Sequence, residues 1–263
     1  MFALRRGFAT AAARSLQAPS KVVCVGRNYA YISPIYHERH LAFERSGAAV
    51  TDHISELSSA RPKQPFFFLK PPSSVLLPGA GPVVRPNGVD LHYEVELALV
   101  IGKTLRNLEA SEETAALAAI ESYLLTIDLT ARNIQGEAKK KGLPWDIAKG
   151  FDTFLPISRT IAKSAIPDPH NVELFLQVNG QTKQAASTNL MLFQIPRLLS
   201  DISKVMTLTP GDIVLTGTPA GVGPVVGGDV MRCGLKVDGR ELEAAKIEVS
   251  VEDSTSTYVY AET

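Results

Sequence analysis

Two glutamates stand inside an apolar run, His92-Tyr93-Glu94-Val95-Glu96-Leu97-Ala98-Leu99-Val100-Ile101, and this stretch constrains the fold most. The run reads as a buried strand. Residues two apart on a strand project from the same face, so both carboxylates point the same way. Adjacent like charges at the mouth of a core are unstable unless something positive neutralises them. A hard divalent cation, Mg²⁺ or Mn²⁺, is the simplest neutraliser because both prefer carboxylate oxygen. The competing reading is an exposed edge strand carrying two solvated glutamates.

Length and composition leave room for such a core. The 263 residues suit one large domain or two small ones, and 45% hydrophobic with 21% charged residues is ordinary for a soluble globular chain. Lysine plus arginine equals aspartate plus glutamate at 27 each, so nothing points to a nucleic-acid or membrane-surface partner. No apolar run approaches the roughly 18 residues of a spanning helix. Cys24 and Cys233 are far apart, lack metal-ligand spacing, and read as small core hydrophobes of a reduced compartment. Residues 1–20 differ: Arg5, Arg6 and Arg14 stand among alanine, serine and phenylalanine, and no acid precedes Glu38. That is the composition of a mitochondrial transit peptide, with a disordered tail as the alternative.

Elsewhere short strands and glycine/proline turns dominate. Strands are expected over Lys21–Val25, Phe66–Leu69 and Ile213–Thr216. Asn179-Gly180 and Val237-Asp-Gly-Arg240 mark hairpins, the latter leading into one alternating strand from Glu241 to Val251. Ile195, Leu198, Leu199, Ile202 and Val205 have helical spacing. Another helix is expected to start at Ser111 and run through an alanine-rich stretch into the apolar run Tyr123–Ile127. The sum is a mixed, β-rich α+β fold with a few short helices.

A second cluster carries chemistry. Asp128, Arg132 and Gln135 fall at i, i+4 and i+7, the spacing of one helical face, although Leu124-Leu-Thr-Ile127 also lets Asp128 end a buried strand. An acid, a forked cation and an amide suit a site for a metal and an anionic substrate; an exposed Asp–Arg pair is the bland alternative. The triplet Lys139-Lys140-Lys141 reads as a solvated patch. Lys149, flanked by Ala148, Gly150 and Phe151, reads as a partly buried ammonium able to stabilise an enolate oxygen. The loop Gly217-Thr-Pro-Ala-Gly-Val-Gly223 lacks a P-loop ending, yet can offer backbone amides or Thr218 to a carboxylate.

Taken in order, Val25-Gly-Arg-Asn-Tyr29, Phe68-Leu-Lys-Pro71, His92-Tyr-Glu-Val-Glu-Leu97, Asp128-Leu-Thr-Ala-Arg132, Lys140-Lys-Gly-Leu-Pro-Trp145, Ile166-Pro-Asp-Pro169 and Leu215-Thr-Gly-Thr-Pro-Ala-Gly-Val-Gly-Pro224 resemble the fumarylacetoacetate hydrolase family, especially its small mitochondrial members. The resemblance covers about residues 21–252, leaving 253–263 as a tail. It implies a β-sandwich roll, usually a homodimer, and a mitochondrial matrix enzyme. It also implies Mg²⁺ (or Mn²⁺) on Glu94, Glu96 and Asp128, and Arg27, Arg132, Gln135 and Thr218 around the substrate. His53 and Glu56, matching a lid dyad, would be catalytic together with Lys149. Residues 31–51 depart from the pattern by separating Ala30 from Asp52, as a surface loop at the lid hinge or as a retained intron. The implied activity is metal-stabilised enolate chemistry on small 2-oxo and 1,3-dicarbonyl acids: tautomerisation and decarboxylation of oxaloacetate, and hydrolysis of acylpyruvates. An isomerase or hydratase of aromatic-degradation intermediates, or a non-catalytic oxo-acid binder, are the alternatives.

Overall fold

The structure, a computed structural model, describes residues 19–30 and 62–262. The arginine-rich leader, residues 31–51, His53 and Glu56 lie outside the described residues.

A six-stranded sheet forms the frame, in the order Ile161–Ala162, Ile120–Ile127, Val95–Ile101, Ile213–Leu215, Val22–Gly26 and Phe66–Lys70. All neighbours are antiparallel except Val22–Gly26 beside Ile213–Leu215. A second sheet runs Gln181–Ser187, Glu173–Val178, Val230–Val237, Ile247–Asp253 and Val83–Arg85, with Arg240–Glu241 also on Val230–Val237. Between these sheets lies the main core, where Leu97, Leu99 and Leu125 of the first meet Leu174, Leu176, Cys233 and Val249 of the second. The reverse face of the first sheet is buried too, by a smaller cluster of Val22, Cys24, Ala98, Val100, Leu124, Leu155 and Ile157. Burial on both faces is why Leu97–Ile101 is apolar throughout and does not alternate.

Four short helices complete the described residues: α1 (Glu113–Ala118), α2 (Arg132–Lys141), α3 (Asp146–Lys149) and α4 (Ile195–Val205). None is long and apolar enough to cross a membrane. The fold is strand-rich with open sheets and few helices, as the turn density implies. Asn179-Gly180 (φ 51° and 78°) and Asp238-Gly239 (φ 48° and 74°) make the expected hairpin turns, both pairs left-handed.

Two expectations are corrected. Helix α1 begins at Glu113 without a side-chain cap and stops by Ala119, so the apolar run after it is the strand Ile120–Ile127. Eight residues rich in branched and aromatic side chains pair there with buried Val95–Ile101, and that pairing overrides the alanine-rich lead-in. The strand expected from Glu241 to Val251 is broken by a turn at Glu243–Ala245 that tucks Ala245 into the core. Arg240–Glu241 and Ile247–Asp253 resume on the same partner, Val230–Val237.

Candidate active site and metal centre

Strand parity assembles the site. Val95, Leu97 and Leu99 face the main core, so Glu94 and Glu96 project from the opposite face, the one shared by Ala98 and Cys24. Register sets Glu96 against Thr126, and two residues further along the same face Asp128 leaves the sheet. The ligand atoms of Glu94, Glu96 and Asp128 all lie within 4.8 Å of one another. Glu96 and Asp128 are 2% and 1% exposed. The exposed-edge alternative for the glutamate pair is thereby removed.

Cations surround this triad. Lys149, at the end of α3, sets its Nζ 2.9 Å from Glu94 Oε2 and 2.7 Å from Asp128 Oδ2. Lys70 Nζ, fully buried at the end of the edge strand, lies 2.8 Å from Asp128 Oδ1 and donates to the Leu129 carbonyl at 3.0 Å. Arg132 opens α2 and donates to Glu94 Oε1 at 2.5 Å and to Gln135 Oε1 at 2.7 Å. Asp128 therefore stands at the end of a strand and not on the helix; only Arg132 and Gln135 share the helical face.

The titration of these groups follows from that packing. Burial raises the Glu96 carboxyl well above its ordinary value, Asp128 and Glu94 add to the rise, and Lys149 with the Gly217 amide only partly oppose it. Burial would also raise Asp128, but Lys149 and Lys70 outweigh it and hold Asp128 below the ordinary range. Lys149 is raised because Asp128 and Glu94 outweigh its desolvation, whereas desolvation lowers Lys70.

The donor set fits a hard divalent ion. It offers oxygen alone, from three carboxylates in one cluster. Asp128 Oδ1 is buried and makes no hydrogen bond of acceptable angle, although it sits at ion-pair distance from Lys70. A lone pair is thus left in the cluster, and Glu96, unstable as a buried anion, gains most from a cation.

A cleft of about 350 Å³ opens over the triad, lined among others by Arg27, Arg132, Gln135, Lys149 and Thr218. Every site residue expected from sequence within the described residues is therefore brought together. Arg27 is exposed at φ 56°, a left-handed conformation that a non-glycine residue adopts at a cost of about 1–3 kcal/mol. The Thr218 hydroxyl is already engaged, donating to the Val95 carbonyl and accepting from Gln184 at 2.9 Å each. Gln184 is buried and also accepts from the Val95 amide, so it ties the glycine loop to the glutamate strand.

Three participants escaped the sequence reading. Lys70 appeared as a strand end. Gln184 lies on a hairpin strand with no local signal. Lys139, taken as part of a solvated patch, lines the cleft, stands 5.1 Å over the Trp145 ring and donates to Gln135 at 3.2 Å. Its i,i+4 spacing from Gln135 was the available clue.

The loop is set by Gly217, whose amide donates to Glu96 Oε2 at 2.6 Å. Its φ is 100°, and a Cβ there would stand 2.8 Å from the Cβ of buried Asn28. Asn28 cannot yield, because it binds the carbonyls of Thr216 and Phe193 and the Phe193 amide. Gly217→Ala is expected to cost about 1–3 kcal/mol through backbone strain and to weaken divalent-ion binding. Thermal melts with and without Mn²⁺ check this; an unchanged melting temperature and ion affinity would contradict it.

Fold and site thus define a class: a carboxylate triad able to hold a metal ion on the reverse face of a mixed sheet, roofed by arginine, lysine and glutamine. The family model described as fumarylacetoacetate (FAA) hydrolase C-terminal matches residues 21–250, and the chain belongs to this family. It is 47% identical over 238 residues to the mitochondrial oxaloacetate tautomerase oaa1 of Schizosaccharomyces pombe, covering 90% of this chain and 98% of that protein. It is 46% identical over 216 residues to a mitochondrial oxaloacetate decarboxylase of Dictyostelium discoideum, covering 82% and 88%. Among solved structures, yeast ynq8, a fumarylacetoacetate hydrolase family protein, superposes with a TM-score of 0.77 at 36% identity, covering 94% of this chain and 98% of that one.

Proposed function

We propose that this chain is a metal-dependent enzyme that interconverts the keto and enol forms of small 2-oxo acids, oxaloacetate foremost, with decarboxylation and acylpyruvate hydrolysis as side capacities of the same enolate chemistry. One observation carries the reading: Lys149 bridges two members of the carboxylate triad inside a cleft whose other cations point to an anionic substrate. The relatives' names support oxaloacetate, and both are named mitochondrial.

Glu94, Glu96 and Asp128 would hold Mg²⁺ or Mn²⁺. When bound, such an ion supplies Lewis-acid stabilisation of negative charge on oxygen. Lys149, kept protonated by its two carboxylates, is a charge donor to the enolate oxygen and not a base. Arg132, held by Glu94 and Gln135, presents its remaining N–H groups to a substrate carboxylate, with Arg27 at the rim. Trp145 and Phe68 form an aromatic wall with ring centroids 5.3 Å apart, which limits water on that side. The family resemblance assigns the proton exchanged at carbon to His53 with Glu56 as its partner; both lie outside the described residues. We place the enzyme in the mitochondrial matrix as a homodimer, on the strength of its relatives' names, its leader composition and the family resemblance.

The test is the enol-to-keto conversion of oxaloacetate, followed by enol absorbance, with and without Mg²⁺ or Mn²⁺. Lys149→Met is expected to lose about 10²–10³-fold in kcat. No conversion by the full-length protein with either ion would overturn the oxaloacetate reading.

A further inference from the structure

Lys70 is a buried charge beside the carboxylate triad that the proposed mechanism does not use. Its side chain is 0% exposed, it is absent from the cleft lining, and it is fixed between Asp128 Oδ1, the Leu129 carbonyl and the Phe154 ring 5.9 Å away. It does not line the cleft, so its charge, paired with Asp128, belongs to the frame of the site and not to substrate contact.

That charge changes the balance of the site. Metal ligation requires deprotonated carboxylates. With Glu94, Glu96 and Asp128 ionised, Lys70, Lys149 and Arg132 match them in number: Glu94 and Asp128 pair directly with these cations, and Glu96 accepts only the Gly217 amide beside them. A divalent ion added to an already neutral cluster leaves two positive charges uncompensated in a largely buried site. Arg27 and Lys139 at the cleft wall add to the excess. Uncompensated buried charge is unfavourable, and a doubly charged anion is what removes it.

We propose that Lys70 makes the divalent ion and a small dicarboxylate dianion bind as a pair: each binds weakly alone, and each strengthens the other by the same factor. This rests on the oxo-acid reading above and sharpens its substrate class, because a dianion is favoured over a singly charged oxo acid of equal size. Reciprocity is a thermodynamic necessity once the two occupy one charge-balanced site.

The probe is Mn²⁺ at controlled free concentration, titrated calorimetrically into the full-length protein with saturating malonate, with the monoamide of malonate, or with neither. Malonate is expected to tighten Mn²⁺ by a factor within about 5–150-fold, and the singly charged monoamide by much less. In Lys70→Met, Mn²⁺ alone is expected to bind more tightly than in the wild type, with a smaller gain from malonate. Equal Mn²⁺ affinity with and without malonate overturns the proposal, as does an equal gain from both anions or a Lys70→Met variant that keeps the full gain. If that variant does not fold, the wild-type comparison of the two anions still decides whether charge couples the ligands. Oxaloacetate turnover without coupling sinks only this proposal; coupling without turnover sinks only the functional reading.

Discussion

Asp128→Asn is expected to abolish divalent-ion binding and to destabilise the metal-free protein by about 3–5 kcal/mol at neutral pH. The substitution keeps the shape and removes the charge. Asp128 is the one carboxylate shared by both buried ammonium groups, at 2.8 Å from Lys70 and 2.7 Å from Lys149. Lys149 retains Glu94, but Lys70 loses its one carboxylate and keeps only neutral acceptors, the Leu129 carbonyl and at best the new amide oxygen, beside a distant ring. A buried cation stripped of its partner is among the largest single-residue penalties. Urea unfolding of wild type and variant measures it. The pH dependence gives a second check. Burial opposes ionisation of Asp128, yet the two lysines hold its folded value below the unfolded one. Its stabilisation is therefore present above the ordinary carboxylate range and lost as pH falls through the lowered folded value. The wild-type advantage should shrink in acid, where both side chains are neutral. A variant as stable as the wild type at neutral pH sinks the shared-counterion account.

How far the sequence revealed this centre depended on whether the signal was local. Glu94 and Glu96 were legible because a period of two fixes their common face within one strand. Arg132 and Gln135 were legible from helical spacing. Asp128 was ambiguous, since a strand end and a helix start abut there and the same residues satisfy both patterns. Lys70 was quoted within a motif yet given no role, because its meaning comes from the pairing of its strand with Val22–Gly26 and from a partner far along the chain. Nothing local separates such a lysine from an exposed one at a strand end. Gln184 was hidden for the same reason: its contacts to Val95, Thr218 and Pro219 all cross from one sheet to the next loop. The misplaced end of the first helix has a different cause. Alanines favour a helix locally, but a buried strand with an open edge recruits the following residues.

Glu96→Gln is expected to pull stability and function in opposite directions. Glu96 is 2% exposed, and burial, Asp128 and Glu94 together raise its carboxyl. A group whose folded pKa is raised stabilises the protein below its unfolded pKa, and that stabilisation is lost as pH rises through the folded value. In the metal-free protein, rising pH therefore erodes stability at this position. Glutamine is neutral at every pH, has the same length, and can still accept the Gly217 amide now bonded to Glu96 Oε2. Without metal, the variant should melt above the wild type at mildly alkaline pH by about 0.5–2 kcal/mol, or about 2–4 °C for each kcal/mol. The difference should vanish below the ordinary carboxylate range, where Glu96 is protonated in both folded and unfolded chains. Adding Mn²⁺ reverses the order. The wild type gains stability in proportion to the logarithm of ion concentration over Kd, whereas the variant, short of an anionic ligand, gains little. Ion affinity should fall by more than the roughly 10–100-fold that follows loss of a group merely supporting a ligand. Crossing melting curves, with the variant ahead in chelator and the wild type ahead in Mn²⁺, would identify Glu96 as a residue retained for the ion at the expense of the empty fold. A variant less stable than the wild type in chelator at alkaline pH would mean instead that ionised Glu96 is already satisfied by Lys149 and Gly217.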